Sequence, residues 1–239
     1  MIDFPQFKAN CNALRERVAR AAAKCGRPAD SVKILPVTKT HPLDAAEFSA
    51  EYGFLAVGEN KVQEACAKIE QARGGSSKAA SLQWELIGHL QTNKAKKAVE
   101  NFARIQSVDS VKLLEKIDFE AEKLGKIQRI LLQVNAGRDP AKFGAELEDA
   151  PALLDAALGL KCVSVEGLMT IAPLDENPDS ARRCFENLRL LRDDLRSRSG
   201  LALDELSMGM SHDLEIAIEQ GSTMIRVGTF LFGARDYSA

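Results

Sequence analysis

Charge of one sign is what this chain most plainly lacks. Its 32 lysines and arginines against 34 aspartates and glutamates leave a formal net charge of −2, and its densest basic group is Lys94, Lys96 and Lys97. Nucleic acid and anionic membrane surfaces both call for larger basic clusters, so neither is an expected partner. The five cysteines, Cys11, Cys25, Cys66, Cys162 and Cys184, are odd in number and form no Cys-x-x-Cys pair. Most of them, Cys11 and Cys66 on helical apolar stripes first, read as small core residues of a protein in a reducing cytosol, not as a disulfide frame. The three histidines, His41, His89 and His212, show no metal-ligand spacing and have no carboxylate cluster beside them, which argues against zinc. Also missing are the Gly-x-Ser-x-Gly elbow, the P-loop and any Gly-x-Gly pattern, and with them the enzyme classes that depend on those motifs. The opening Met1-Ile2-Asp3-Phe4-Pro5 is not basic, and no apolar run is long enough for a signal peptide or a membrane span.

What the chain has is alternation. At 239 residues it can bury roughly 70–75% of its unfolded surface, enough for one large domain over 1–239. Phe7, Cys11, Leu14, Val18, Ala22 and Cys25 recur at helical spacing and predict an opening amphipathic helix that ends at Gly26-Arg27-Pro28. Eight short apolar runs then predict strands over Ile34–Thr38, Phe54–Val57, Trp84–Ile87, Ile105–Val108, Ile130–Val134, Val163–Leu168, Glu205–Met208 and Met224–Val227. Helical stripes lie between them, for example Val62, Ala65, Cys66 and Ile69, or Phe185, Leu188, Leu191 and Leu195. Repeated βα units of this kind imply a parallel sheet, and a count near eight implies an α/β fold, a single (β/α)8 TIM barrel preceded by a helix. The fourth and seventh strands carry the weakest signal, being short and polar. Pro36 predicts a bulge or an early edge in the first strand. Arg73–Lys78 has the composition of an exposed linker, and Gly137–Gly144 is expected over the barrel mouth.

Small and polar residues collect where these strands end: Lys39-Thr40, Gly58-Glu59-Asn60, Gly88-His89, Asn135-Ala136-Gly137, Gly209-Met210-Ser211 and Gly228-Thr229. That C-terminal rim is where barrel active sites are built. A free lysine has a pKa of about 10.4, and only its neutral amine attacks a carbonyl; burial at the end of an apolar strand lowers that value. Taken singly, Lys39 reads better as a surface lysine just outside a strand. The loops after the last two strands, however, end in small donors suited to a phosphate, Ser211 in one and Gly228-Thr229 in the other. Ser211 has a rival reading as the cap of the helix that Asp213-Leu214-Glu215 opens. Arg226 faces away from Ile225 and Val227, either into the barrel or outward under a helix, and a buried charge needs a partner. An amine opposite two phosphate-type loops points to a phosphorylated aldehyde held as a Schiff base, and so to pyridoxal 5′-phosphate (PLP). A Schiff-base aldolase acting on sugar phosphates would use the same parts.

Val37-Thr38-Lys39-Thr40, Gly58-Glu59-Asn60-Lys61-Val62-Gln63-Glu64, Trp84–Lys94, Ser207–Ser211, Met224–Thr229 and Phe232-Gly233-Ala234-Arg235 occur in that order. Together they resemble the pyridoxal phosphate homeostasis proteins. The resemblance implies a barrel of the alanine racemase N-terminal-domain type with PLP bound to Lys39. It further implies Arg226 at the pyridine nitrogen, Ser211, Gly228 and Thr229 on the phosphate, and Asn60 lining the pocket. Its functional implication is intracellular PLP homeostasis, by buffering or delivery, with no catalytic residues and no established turnover. Thr38 stands where many members have serine, which keeps the hydroxyl, and His41 where some carry a second lysine. Lys142 matches a lysine of the family's loop.

The rival is an enzyme, a PLP-dependent amino acid racemase or decarboxylase. Such enzymes resemble this chain only in part: they add a β-domain and dimerise so that a partner supplies a catalytic acid, whereas this chain ends soon after its last strand. Its two tyrosines, Tyr52 and Tyr237, fall outside the strand-end loops. An arginine at the pyridine nitrogen also opposes its protonation and weakens the ring as an electron sink. The expectation is therefore a cytoplasmic, monomeric carrier that binds PLP, with PLP-dependent apoenzymes as conceivable recipients and the opening helix as the one candidate partner surface.

Overall fold

The computed structural model describes residues 2–175 and 177–233. Asp3 accepts a hydrogen bond from Gln6 N and Pro5 lies in the first turn, which starts α1 (Phe4–Lys24). Phe7, Cys11, Leu14, Val18 and Ala22 are buried along one face of it. Eight strands follow: β1 (Lys33–Pro36), β2 (Ala56–Glu59), β3 (Gln83–Leu86), β4 (Arg104–Val108), β5 (Gln128–Gln133), β6 (Val163–Met169), β7 (Glu205–Ser207) and β8 (Met224–Val227). They alternate with α2 (Asp44–Tyr52), α3 (Val62–Arg73), α4 (Ala95–Asn101), α5 (Val111–Lys123), α6 (Ala150–Leu158), α7 (Pro178–Ser199), α8 (Leu214–Glu219) and α9 (Thr229–Phe232).

All strand pairs are parallel, in the order β1-β8-β7-β6-β5-β4-β3-β2. An isolated bridge between Val37 and Gly58, with Thr38 N donating to Gly58 O at 3.0 Å, joins the two ends of that order and nearly closes the cylinder. Pro36 ends β1 opposite Val227 without a register shift. The edge predicted there is thus the β1–β2 seam, and no bulge is present. Where β6 meets β7, a Cβ on Gly167 would lie 1.9 Å from Glu205 O, so only glycine permits the approach.

The largest apolar core lies between the strands and helices α2 to α8, and a second lies beneath α1. The α1 stripe packs on Leu214 and Ile218 of α8 and on Leu231 and Phe232 of α9. The helix expected to offer a partner surface therefore spends its apolar face on the barrel itself. Cys11 and Cys184 are buried, and burial pushes their thiols up to about 12 and about 11, as suits inert core residues. Cys66 and Cys162 are half-buried against the main core. Cys25 departs from the core reading: it caps α1 and is exposed. Arg73–Lys78 is exposed but for Ser77 and turns the chain from α3 toward β3, as expected; its far end is tied down, Ser77 accepting from Ala79 N at 3.1 Å and donating to Glu47 of α2, while Lys78 pairs with Glu51 at 3.0 Å.

Candidate functional site at the barrel mouth

Alternation along the strands decides which side chains enter the barrel. Leu35, Val37, Ile87 and Met224 come from three different strand regions and cluster together inside it. Arg226, two residues beyond Met224, shares that face. Of the two orientations open to Arg226 in the sequence, the inward one is observed. Lys39 lies in the turn two residues past the Val37 bridge and is half-buried at the C-terminal rim.

Arg226 is 4% exposed and donates from Nη1 to Ser207 Oγ and from Nη2 to Thr170 O, both at 2.8 Å. Both partners are neutral. Burial brings its pKa down to about 10, with Asp213 acting in the opposite direction. The guanidinium is still charged at neutral pH and is under-neutralised, a state that favours an electron-rich guest.

The loops expected to hold a phosphate lie at the ends of adjacent strands. Arg226 N donates to Gly209 O at 3.0 Å, which ties the β7 loop to β8. Ser211 is half-buried in a turn, and α8 starts only at Leu214, with Asp213 in the cap position. Asp213 Oδ1 accepts from Met210 N at 2.5 Å, so the capping role suggested for Ser211 does not hold. Gly228 leans on β1, where a Cβ would come within 3.1 Å of Val37 O, and the exposed Thr229 begins α9. Asn60 follows β2, half-buried. Its backbone is packed so tightly on Gly88 that a Cβ there would lie 2.2 Å from Asn60 O. The structure thus gathers Lys39, Asn60, Ser211, Gly228 and Thr229 on the rim of four neighbouring strands, β2-β1-β8-β7, with Arg226 below them inside the barrel.

Opposite this arc, Ala145 bridges back to Val134, and the Phe143 ring stacks on His89 with centroids 3.9 Å apart. Residues 137–144 therefore span from β5 to the end of β3, as expected of a segment over the mouth. Lys142 in that loop is half-buried, and His41 packs on Phe232 at 5.2 Å. Tyr237 and the Ala234-Arg235 part of the last motif lie outside the described residues.

Sequence reading missed Glu59, Glu64 and Lys68. Glu59 was read as loop, yet it ends β2 fully buried, accepting from Thr38 Oγ1 at 2.6 Å and from Lys68 Nζ at 2.8 Å. The Glu64 and Lys68 pair at i, i+4 was the only available signal, and it does not reveal that both reach β1. Burial raises the Glu59 pKa against the opposing pull of Lys68 and Thr38.

A hydrogen-bonded line runs down the barrel from Arg226. Ser207 Oγ donates to Gln106 Oε1 at 2.6 Å and Gln106 Nε2 to Glu85 Oε2 at 2.6 Å, and Arg104 grips Glu85 with two bonds of 2.8 and 2.9 Å. At this N-terminal foot Arg104 also meets Glu166 at 2.9 Å and Glu205 at 3.5 Å, while Lys33 pairs with Glu205. A cavity of about 1260 Å³ opens at the foot, and none of the rim residues named above lines it. Among the described residues there is no group of His, Cys, Asp or Glu able to hold a metal, and no helix is long and apolar enough to cross a membrane.

Known proteins give this geometry a context. Residues 9–236 match the family described as alanine racemase, N-terminal domain. A pyridoxal phosphate homeostasis protein of Aquifex aeolicus is 41% identical over 222 residues, covering 93% of this chain and 95% of the relative. The structure of PipY from Synechococcus elongatus with PLP bound is 38% identical, with a TM-score of 0.83 over 95% of this chain and 100% of PipY. An alanine racemase of Clostridium difficile, 15% identical with a TM-score of 0.73 over 98% of this chain and 58% of the racemase, shares the fold alone. With that fold, and with identity to homeostasis proteins sustained over nearly the whole length, the chain belongs to the pyridoxal phosphate homeostasis proteins within the alanine racemase N-terminal-domain family.

Proposed function

We propose that this chain binds PLP at the barrel mouth and holds it in reserve for other proteins, as one barrel domain over residues 1–239. The observation that carries the reading is the buried, inward-facing Arg226 on β8, paired directly with β1, the strand that leads into Lys39, with Leu35 opposite Arg226 and Pro36 opposite Val227. In this reading an amine at the rim stands above a buried cation. Lys39 would supply the amine that joins the aldehyde carbon, the aldehyde oxygen leaving as water. Arg226 donates to the pyridine nitrogen and disfavours its protonation. Ser211, Gly228 and Thr229 hold the phosphate, and Asn60 lines the ring's edge. The donor set fits: an anionic phosphate would meet small donors at the rim, and an unprotonated ring nitrogen would offer Arg226 a further acceptor beside Ser207 Oγ and Thr170 O.

When bound, PLP supplies an electron-withdrawing ring. Arg226 weakens that capacity, which favours storage over turnover. The likeness to the racemase is one of fold, so nothing in the site favours the racemase or decarboxylase reading. The setting that suits such a store is the cytoplasm, with the chain acting as a monomer and PLP-dependent apoenzymes as recipients.

The test is borohydride reduction of the PLP-loaded protein followed by peptide mass spectrometry. The adduct is expected on the peptide containing Lys39, and the visible absorbance should shift on reduction. An adduct confined to Lys142 or another lysine overturns the site. Robust racemisation or keto-acid formation from a common amino acid, lost in Lys39→Ala, overturns the storage role.

A further inference from the structure

Lys39 is gripped through its chain neighbours. On one side, Thr38 O accepts from the Lys68 ammonium at 2.9 Å and Thr38 Oγ1 donates to Glu59 Oε1 at 2.6 Å. On the other, Thr40 N donates to Glu64 Oε1 at 2.6 Å. The three charged side chains are joined to one another, because Lys68 Nζ donates to Glu59 Oε1 and to Glu64 Oε1, both at 2.8 Å. Glu59 ends β2, and Glu64 and Lys68 sit one turn apart on α3, so the grip comes from the next βα unit and reaches back to β1.

Two features say that this is more than packing. Thr40 has a φ of 66°, in the left-handed region that β-branched residues rarely adopt, and its N–H is the atom Glu64 holds. The cluster is also buried, with Glu59 at 0% and Lys68 at 7% exposure. Apolar side chains would fasten α3 to the barrel without the desolvation cost of buried ions. Burial works to raise the Glu64 pKa, but the bonds from Lys68 and Thr40 outweigh it and keep the carboxylate ionised.

We infer that Lys68, with Glu59 and Glu64, is a positioning group that fixes the backbone on both sides of Lys39, so that its amine enters the mouth in the one orientation from which it can bond the PLP aldehyde. These side chains touch Thr38 and Thr40, not the cofactor. Orientation of reacting groups is worth large factors, so a loosened turn weakens the covalent step while leaving ring and phosphate contacts in place. This inference rests on Lys39 being the amine that takes PLP.

Pyridoxine 5′-phosphate separates the two contributions, since it carries the same ring and phosphate with an alcohol in place of the aldehyde. Binding of both compounds is measured for the full chain and for Lys68→Met, Glu64→Ala, Glu64→Gln and Thr40→Gly, together with the melting midpoint of each ligand-free protein. Lys68→Met should lose about 10- to 100-fold in PLP affinity with pyridoxine phosphate unchanged. Glu64→Ala should lose about tenfold for PLP alone, and Glu64→Gln, which keeps an acceptor for Thr40 N–H, should recover most of it. If Lys68→Met does not fold, the Glu64 pair decides the matter, with Thr40→Gly, which keeps the N–H and suits the left-handed φ, expected near the parent's PLP affinity. Equal weakening of both ligands, or full PLP affinity in Glu64→Ala, overturns the positioning role. A reduced adduct mapping away from Lys39 in the parent overturns the site as well, whereas an adduct on Lys39 with unchanged affinities in the variants overturns the positioning role alone.

Discussion

Arg104 at the foot of the barrel and Arg226 near its mouth are equally buried, 3% and 4% exposed, yet they keep opposite company. Burial acts against the Arg104 cation, but Glu85, Glu205 and Glu166 more than offset it and its pKa rises. Arg226 bonds only a hydroxyl and a carbonyl, and its pKa falls. Lys33, Arg104 and Arg129 against Glu85, Glu166 and Glu205 make the foot neutral within itself. The contrast teaches that closing a barrel and holding a guest make different demands on the same residue type. A plug cancels its charges internally, while a binding site leaves one cation to be completed by its ligand.

The largest expected effect comes from breaking the plug. Arg104→Met takes the paired cation from buried Glu85 and leaves Glu166 and Glu205 with one partner each, Arg129 and Lys33, so it should lower unfolding stability by about 3–5 kcal/mol, read from urea denaturation. PLP affinity of the folded protein should be unaltered; a parallel loss of binding would mean that the two ends are not separable. At the mouth the balance reverses. Ser211→Ala should cost roughly 1.5–3 kcal/mol of PLP binding, about one to two decades in Kd, with the ligand-free melting midpoint unmoved. Full affinity in this variant would place the phosphate elsewhere.

The smallest effect on stability is expected at Arg226 itself. Its folded pKa lies below that of the unfolded chain, so the cost of burying the cation is fully present below about pH 10 and fades as the pH rises beyond it. Arg226→Met removes that cost but leaves Thr170 O without its donor, so ligand-free stability should stay within about 1 kcal/mol of the parent. PLP affinity should nevertheless drop, and retained affinity would break the comparison. Destabilisation as large as that of Arg104→Met would show both arginines to be structural.

Much of the fold could be read from the residues, since every predicted strand overlaps an observed one. The fourth and seventh were the weakest because Gln106 and Ser207 interrupt their apolar pattern, and these two carry the hydrogen-bonded line inside the barrel. β2 shifted two residues toward its C-terminal end because Phe54 belongs with Tyr52 in the cluster under α1, leaving Glu59 to end the strand. A buried glutamate cannot be recognised without its partner, and Lys68 lies on the following helix. The candidate residues proposed for the site could be picked out because each lies in a strand or shortly past its end. Their support was not, because contacts between one βα unit and the next leave no periodic trace in a sequence. Arg226 shows the limit from the other side: alternation narrowed it to two faces, and only the lumen cluster around Met224 selected one.

The β1–β2 seam has a mechanical consequence. Where β1 meets β2 the wall is joined by one isolated bridge, Val37 with Gly58, and there the cylinder behaves as a rolled strip with a lap joint. The two lips of that joint are β1, which leads into Lys39, and β2, which ends in Glu59. The bonds from Lys68 to Thr38 on one lip and to Glu59 on the other cross it like a clasp. This seam in the wall and the lysine at its mouth are thus fastened by the same ammonium group, so slack in one is felt at once in the other.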